Sequence, residues 1–193
     1  MPRMATIAEY RPCLGVLLAG GQSSRMGRDK ALLDWHGQPL IEHQLATLRA
    51  AGVDALRVSG EHPSHHGVAD LASQLGPVGG LMSVAASVTG EVELLVIPVD
   101  MPRLSGALLQ RLRVERWQAR SLAFAEYVLP WRFRLDAASR ALLLALASSA
   151  APRARSLRAL EAAMETEALA LSKDEATQLV DCNTPELWNE MSR

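Results

Sequence analysis

The run Gly20-Gly21-Gln22-Ser23-Ser24-Arg25-Met26-Gly27-Arg28-Asp29-Lys30 gathers the groups that hold phosphate. Consecutive glycines let a backbone approach a ligand closely. Free N–H groups, two hydroxyls and the cations Arg25, Arg28 and Lys30 suit the α, β and γ phosphates of a nucleotide. Lys30 is a point charge suited to easing the departure of pyrophosphate, and Arg25 to clamping a β or γ phosphate. A second feature is Asp100, which closes the apolar run Glu93–Val99. Mg²⁺ is hard and prefers oxygen, so one carboxylate beside phosphates makes Asp100 the candidate metal ligand. The glycine loop matches neither G-x-x-x-x-G-K-[ST] nor G-x-G-x-x-G. P-loop kinase, GTPase and dinucleotide oxidoreductase readings lose their main support. His62, His65 and His66 lack the cysteine or carboxylate spacing of a zinc site. Cys13 and Cys182 show no sign of an activated thiolate.

These groups need elements to position them. Cys13 to Ala19 is a short apolar run stopped by Gly20-Gly21, as expected of a strand buried on both faces. The glycine loop therefore lies at a carboxyl end of a sheet, where open α/β sheets bind ligands. Ala31 to Trp35 predicts a brief strand. A helix begins near Pro39, with Leu40, Ile41, Leu45 and Leu48 at helical spacing and Gly52 as its stop. Val53 to Ser59 predicts a second strand. Gly76-Pro77-Val78-Gly79-Gly80 reads as a loop or tight turn, and Leu81 to Val88 as a short buried helix. Glu93 to Val99 predicts a central strand. Ser105 is the expected cap of a helix to about Arg120. Strands follow at Leu122 to Leu129 and Trp131 to Leu135, one of them a candidate antiparallel member. Ala137 to Ala147 and Ser156 to Met164 read as helices, and Thr184-Pro185 opens a last one. Leu169 to Val180 has no clean period. The alternation predicts a single-domain, Rossmann-like, doubly wound α/β fold. Its sheet is mostly parallel, with helices on both faces.

Composition narrows the class. The chain has 193 residues, 49% hydrophobic and 21% charged, with a net charge of −1, which suits one globular domain over residues 1–193. That charge is too near neutral for general nucleic-acid or anionic-membrane binding. No apolar run nears the roughly 20 residues of a membrane span, and Met1 to Arg11 lacks a signal-peptide core. A cytoplasmic monomer is expected. Of the 20 basic residues only Lys30 and Lys173 are lysine. A chain that spells its bases as arginine has kept an ammonium at the end of the phosphate loop.

The spelling L-A-G-G-x-S-S-R-M-G-x-D-K at Leu18 to Lys30 resembles the signature of the molybdenum cofactor guanylyltransferases. Those belong to a wider group that includes cytidylyl- and sugar-phosphate nucleotidyltransferases. Three more segments match in order. Asp70 precedes Gly76 to Gly80, which is similar to the family's G-P-L-A-G. Pro98 to Pro102 resembles P-x-D-M-P, and Asp181 to Glu186 resembles N-x-N-T-P-E. Two positions depart from the pattern. Ser59 stands where an asparagine is usual, and Asp181 replaces the first asparagine of the closing motif.

The resemblance implies a nucleotide-binding part over about 14–120 and an acceptor-side part over about 121–188. It implies Mg²⁺-dependent transfer of GMP from GTP to molybdopterin, with release of pyrophosphate. Molybdoenzymes or their chaperones are further expected partners. Arg25, Lys30 and Asp100 would be the catalytic residues, and Asp100 the metal ligand. Leu18, Ala19, Gly20, Gly21, Lys30, Ser59, Asp70, Gly79 and Asp100 would bind GTP. Asp181, Asn183 and Arg132 would face the acceptor, with Pro130 and Arg134 near its phosphate and Trp131 stacked on its flat ring. Asn183 is equally a candidate cap for the last helix. The spacing alone reaches only Mg²⁺-dependent transfer involving a nucleoside triphosphate. The rivals are a sister enzyme using CTP or a sugar phosphate, and a non-catalytic module for nucleotide binding or cofactor delivery.

Overall fold

The alternation of apolar runs and amphipathic helices resolves into one seven-stranded sheet with helices on both faces. The structure, a computed structural model, describes residues 11–20, 29–71, 75–151, 153 and 155–192. In chain order the first elements are β1 (Cys13–Leu18), a small hairpin of β2 (Asp34–Trp35) and β3 (Gln38–Pro39), and α1 (Leu40–Ala50). β4 (Ala55–Ser59), β5 (Gly67–Val68), α2 (Gly76–Ala86), β6 (Val92–Pro98) and α3 (Gly106–Val114) follow. The last third holds β7 (Ser121–Phe124), β8 (Trp131–Leu135), α4 (Ala137–Ala147), α5 (Leu157–Ala163), β9 (Glu167–Leu169), α6 (Lys173–Ala176) and α7 (Pro185–Met191).

The strand order is β5-β4-β1-β6-β8-β7-β9, and β8 runs against its neighbours β6 and β7 while the other pairings are parallel. The expected doubly wound α/β fold is what the chain adopts, with β8 as the antiparallel member.

β1 explains why both faces are covered. Cys13 and Leu17 pack with α1 and α3, while Leu14, Val16 and Leu18 pack with α2 and α4. A strand apolar on both faces is stable only between two helical layers. Gly15 sits where a Cβ would stand 2.9 Å from a Leu56 methyl and 3.0 Å from a Val53 methyl, so its face is closed.

Five local readings change. The strand expected over Leu122 to Leu129 ends at Phe124, and the chain turns through residues 125–130 before β8. Ala31 is not in a strand: Lys30–Leu32 forms a 3-10 turn, because the Asp29 carboxylate accepts the Ala31 N–H at 3.0 Å. The glycine-rich segment 76–80 is not a loop but the first turn and a half of α2. Pro77 suits a helix start, and Gly79 and Gly80 meet neighbours too close for side chains. α3 stops at Val114, not near Arg120; Arg116 has φ of 45° and the chain turns there. Residues 169–180, without a period in sequence, divide among β9, α6 and a 3-10 turn at Thr177–Leu179. Among the described residues no helix is long and apolar enough to cross a membrane.

Candidate active site

The carboxyl ends of the parallel strands bring the motifs together. Leu18 pairs with Ser59 on one side and Pro98 on the other, so three strands end side by side. Leu18 and Ala19 are buried, and Gly20 emerges into solvent. Gly21 and Arg25 lie outside the described residues. The chain returns at Asp29, whose cap on the 3-10 turn directs Lys30 toward the end of β6.

Lys30 is the centre of the site. Its Nζ donates to Asp100 Oδ2 at 3.1 Å and to Asn183 Oδ1 at 2.6 Å. Asn183 Nδ2 in turn donates to Asp181 Oδ2 at 2.6 Å. The Asp181–Glu186 segment is docked by its backbone, since Cys182 N–H donates to Asp100 C=O at 2.8 Å. Residues 30, 100, 181 and 183, far apart in sequence, thus form one network. Lys30 and Asp100 side chains are 17% and 23% exposed, enough to meet a ligand yet shielded enough to sharpen their attraction. Asn183 is not the helix cap. Thr184 takes that role, accepting Leu187 N–H at 3.3 Å, which leaves Asn183 free to turn to Lys30.

Beside this network lies a narrow cradle. Ser59 is 3% exposed, and its Oγ sits 2.0 Å from where a Cβ on Gly80 would be. The same hydroxyl lies 3.6 Å from a Cβ position on Gly20, and Asp70 Oδ1 lies 3.7 Å from the one on Gly80. Gly79 would collide with Leu75 in the same way, at 2.4 Å. Glycine at 79 and 80 is therefore a packing requirement, outweighing its low helix propensity. The amino end of α2 closes down on β4. Leu71 N–H donates to Ser83 Oγ at 2.9 Å and ties the Asp70 segment to α2. Partial burial, and then the nearby Glu61 charge, raise the Asp70 carboxyl above its ordinary range.

Arg132 is not brought to the site. It is 1% exposed, and its guanidinium donates to the carbonyls of Arg113, Glu115, Arg116 and Ala119, at the far end of α3. Its backbone pairs with Leu95 at the middle of β6, and its guanidinium turns to the end of α3, which runs back from the site. Burial pulls its pKa down from the usual guanidinium value. It holds the turn that ends α3 and cannot reach an acceptor at Asn183. Trp131 is likewise unavailable for stacking: it is fully buried against Phe133, with ring centroids 4.3 Å apart. Arg134 pairs in register with Glu93 at the start of β6, also away from the site.

The cysteines are inert. Burial pushes the Cys13 thiol up to about 11 and raises that of Cys182. The chemistry of the site is that of oxygen donors around a held positive charge. Among the described residues no three His, Cys, Asp or Glu side chains gather to hold a metal. The described residues thus build no all-protein cage there. Asp100, with Asp181 and Asn183 oxygens beside it, fits an ion that completes its shell with substrate phosphates and water, as Mg²⁺ does. One residue that the sequence analysis passed over is Gln44. It lies on the buried face of α1, and its amide reaches the turn that carries Asp100. A lone glutamine within the apolar pattern 40, 41, 45, 48 is the signal that would have found it.

Residues 15–175 match the MobA-like NTP transferase domain, well over half of the chain. The chain belongs to the MobA-like NTP transferase family. As a family member it is an enzyme, a nucleotidyltransferase. It is 48% identical over 181 residues to the molybdenum cofactor guanylyltransferase of Xanthomonas euvesicatoria, spanning 94% of this chain and 95% of that protein. Two solved structures share the fold. A Methanothermobacter nucleotidyl transferase superposes with a TM-score of 0.72 at 18% identity, over 94% of this chain and 96% of its own. The molybdopterin-guanine dinucleotide biosynthesis protein A of Archaeoglobus fulgidus gives 0.72 at 16% identity, over 93% and 96%. The MobA-like enzymes are thus the group to which the guanylyltransferase resemblance of the four motifs leads.

Proposed function

We propose that the protein transfers GMP from GTP to molybdopterin, the organic part of the molybdenum cofactor, and releases pyrophosphate in the cytoplasm. The observation that carries this reading is the Lys30–Asp100–Asn183 network, which unites the phosphate loop, the central strand end and the closing motif. The long match to the Xanthomonas enzyme supports GTP and the pterin as substrates.

In this reading the triphosphate lies along the Gly20 backbone, with Arg25 and Lys30 on its phosphate oxygens. Leu18, Ala19, Ser59, Asp70 and Gly79 frame the nucleoside. A guanine edge offers adjacent N–H donors, which a carboxylate such as Asp70 accepts as a pair. Asp181 and Asn183 face the acceptor side. A phosphate oxygen of the pterin attacks the α-phosphorus in line. The bond from that phosphorus to the bridging oxygen breaks, and its electron pair leaves with pyrophosphate. The attacking oxygen is already anionic, so no general base is needed. Mg²⁺ held by Asp100 would supply neutralisation of the phosphate charge. Lys30 moves from the carboxylate onto phosphate and meets the charge building on the leaving group. Positioning and electrostatics carry the rate.

The test is pyrophosphate release from GTP with molybdopterin present, beside competition binding of GTP, CTP and UTP with Mg²⁺. Release is expected with GTP alone among the three. Asp100→Ala is expected to lower it by about a hundredfold or more without unfolding the protein. Near-wild-type release in Asp100→Ala would remove the metal assignment. Tighter binding of CTP would overturn the choice of GTP, and silence of the wild type would favour a delivery module.

A further inference from the structure

We infer that Gln44, assisted by His43, is a positioning residue for Asp100 and acts through the backbone that carries it. Asp100 is on the turn between β6 and α3, outside any ladder or helix that would fix its main chain. Four consecutive carbonyls of that turn nevertheless have donors from elsewhere. Gln44 Nε2 donates to Val99 C=O at 3.3 Å and to Met101 C=O at 2.7 Å, on either side of Asp100. Asp100 C=O accepts from Cys182 N–H at 2.8 Å. Pro102 C=O lies 2.9 Å from His43 Nε2, which donates as N–H. Two neighbouring residues of α1 thus hold three of the four carbonyls.

Gln44 is a poor choice for stability. It is fully buried, and among the described residues its Oε1 accepts no hydrogen bond. A buried amide with an unpaired end is costly. A methionine of the same length would fill this face of α1 without that cost. The amide supplies what methionine lacks, a simultaneous grip on the carbonyls before and after Asp100. A turn free to shift by even about 1 Å would move the carboxylate off the position shared with Lys30 and the phosphates. Outer partners of a metal-holding carboxylate have this orienting role generally.

The inference rests on Asp100 being the metal-holding carboxylate. The test is a Mn²⁺ titration in the presence of GTP, read by the electron paramagnetic resonance of free Mn²⁺. Thermal melting and steady-state pyrophosphate release accompany it. Gln44→Met is expected to stay folded. Its Mn²⁺ dissociation constant should rise by about tenfold, with kcat falling comparably and KM for GTP within about twofold of wild type. A purely structural glutamine would shift the melting temperature alone. Folded Gln44→Met with Mn²⁺ affinity and kcat within twofold of wild type therefore overturns the inference. Should Gln44→Met not fold, the His43 pair decides. His43→Leu is expected to weaken Mn²⁺ by about threefold, and His43→Gln, which restores an N–H donor, to recover it; equal affinity in all three proteins overturns the inference. Asp100→Ala in the same titration separates the two layers. If it loses Mn²⁺ while Gln44→Met does not, only the positioning role fails. If it binds Mn²⁺ like wild type, the metal assignment fails and the positioning role with it.

Discussion

Lys30 Nζ touches a carboxylate and an amide oxygen at once, 3.1 Å from Asp100 and 2.6 Å from Asn183. A small ammonium on a flexible stem does this within a space where both partners are already close. A guanidinium is planar and wider, and its donors point in fixed directions. Lys30→Arg keeps the charge but cannot reproduce both contacts, or the point contact on phosphate proposed for the ammonium. The melting temperature is expected to stay within a few degrees of wild type, since the pair is partly solvated and such pairs contribute little. Its kcat/KM for pyrophosphate release is expected to fall by about a hundredfold. Activity near wild type would show that any cation suffices there. The arginine-rich composition gives that substitution its interest, because 18 of the 20 bases are arginine and this one is not.

The amino end of α2 shows how packing overrules local preference. Its segment Gly76-Pro77-Val78-Gly79-Gly80 has the composition of a turn, yet it is helical because Gly80 lies directly over Ser59. A methyl group on Gly80 would stand 2.0 Å from Ser59 Oγ and 3.2 Å from its Cβ. Overpacking of this kind costs about 1–3 kcal/mol, while alanine in place of glycine inside a helix contributes about 1 kcal/mol. Gly80→Ala is thus expected to destabilise the fold by roughly 1 kcal/mol, read by urea denaturation. Adding Ser59→Ala removes the hydroxyl in the way. The double variant should recover wild-type stability, and a failure to recover would place the strain elsewhere. The turn at Arg116 makes the same point. α3 ends just before it, where the carbonyls of Arg113 and Arg116 face the buried Arg132 guanidinium, a partner 16–19 residues further along.

Across the whole molecule, one sheet joins β5, β4, β1 and β6 to β8, β7 and β9, and ion pairs bind the last segments to α3. Arg111 donates to Glu115 at 2.9 Å and to Glu175 at 2.6 Å. The N–H and hydroxyl of Ser172 and the Arg111 guanidinium hold the Glu175 carboxyl below its ordinary range. A carboxylate with a depressed folded pKa adds stability above its unfolded pKa and loses it as pH falls through the folded one. Glu175→Gln should therefore lower the melting temperature at pH 7. The gap from wild type should close as pH drops below the ordinary glutamate value of about 4.3. A gap that persists in acid would mean that shape, not charge, makes the contact.

Much of this was legible in the chain. The strand at Cys13, the closing strand end at Asp100, the caps Ser105 and Thr184, and helix 137–147 follow from local pattern, because hydrophobic period and capping depend on neighbours in sequence. The residue types on which the proposed phosphate and metal chemistry at Lys30 and Asp100 rests were equally readable, since charge and hardness belong to the side chain itself. Arg132 and Trp131 were misplaced because a side chain's destination on a strand depends on which helix covers it, and β8 is covered on both faces. The segment 76–80 was misread because contacts with Leu75 and Ser59, not local preference, require glycine at 79 and 80. What the tertiary structure alone decided is who meets whom: Asn183 turned to Lys30 and not to a helix cap, and Gln44 gripping the turn of Asp100. Those pairings span 153 and 55–57 residues of chain. No local energy term reaches that far, so only the packing of α1, β6 and the closing segment could choose them.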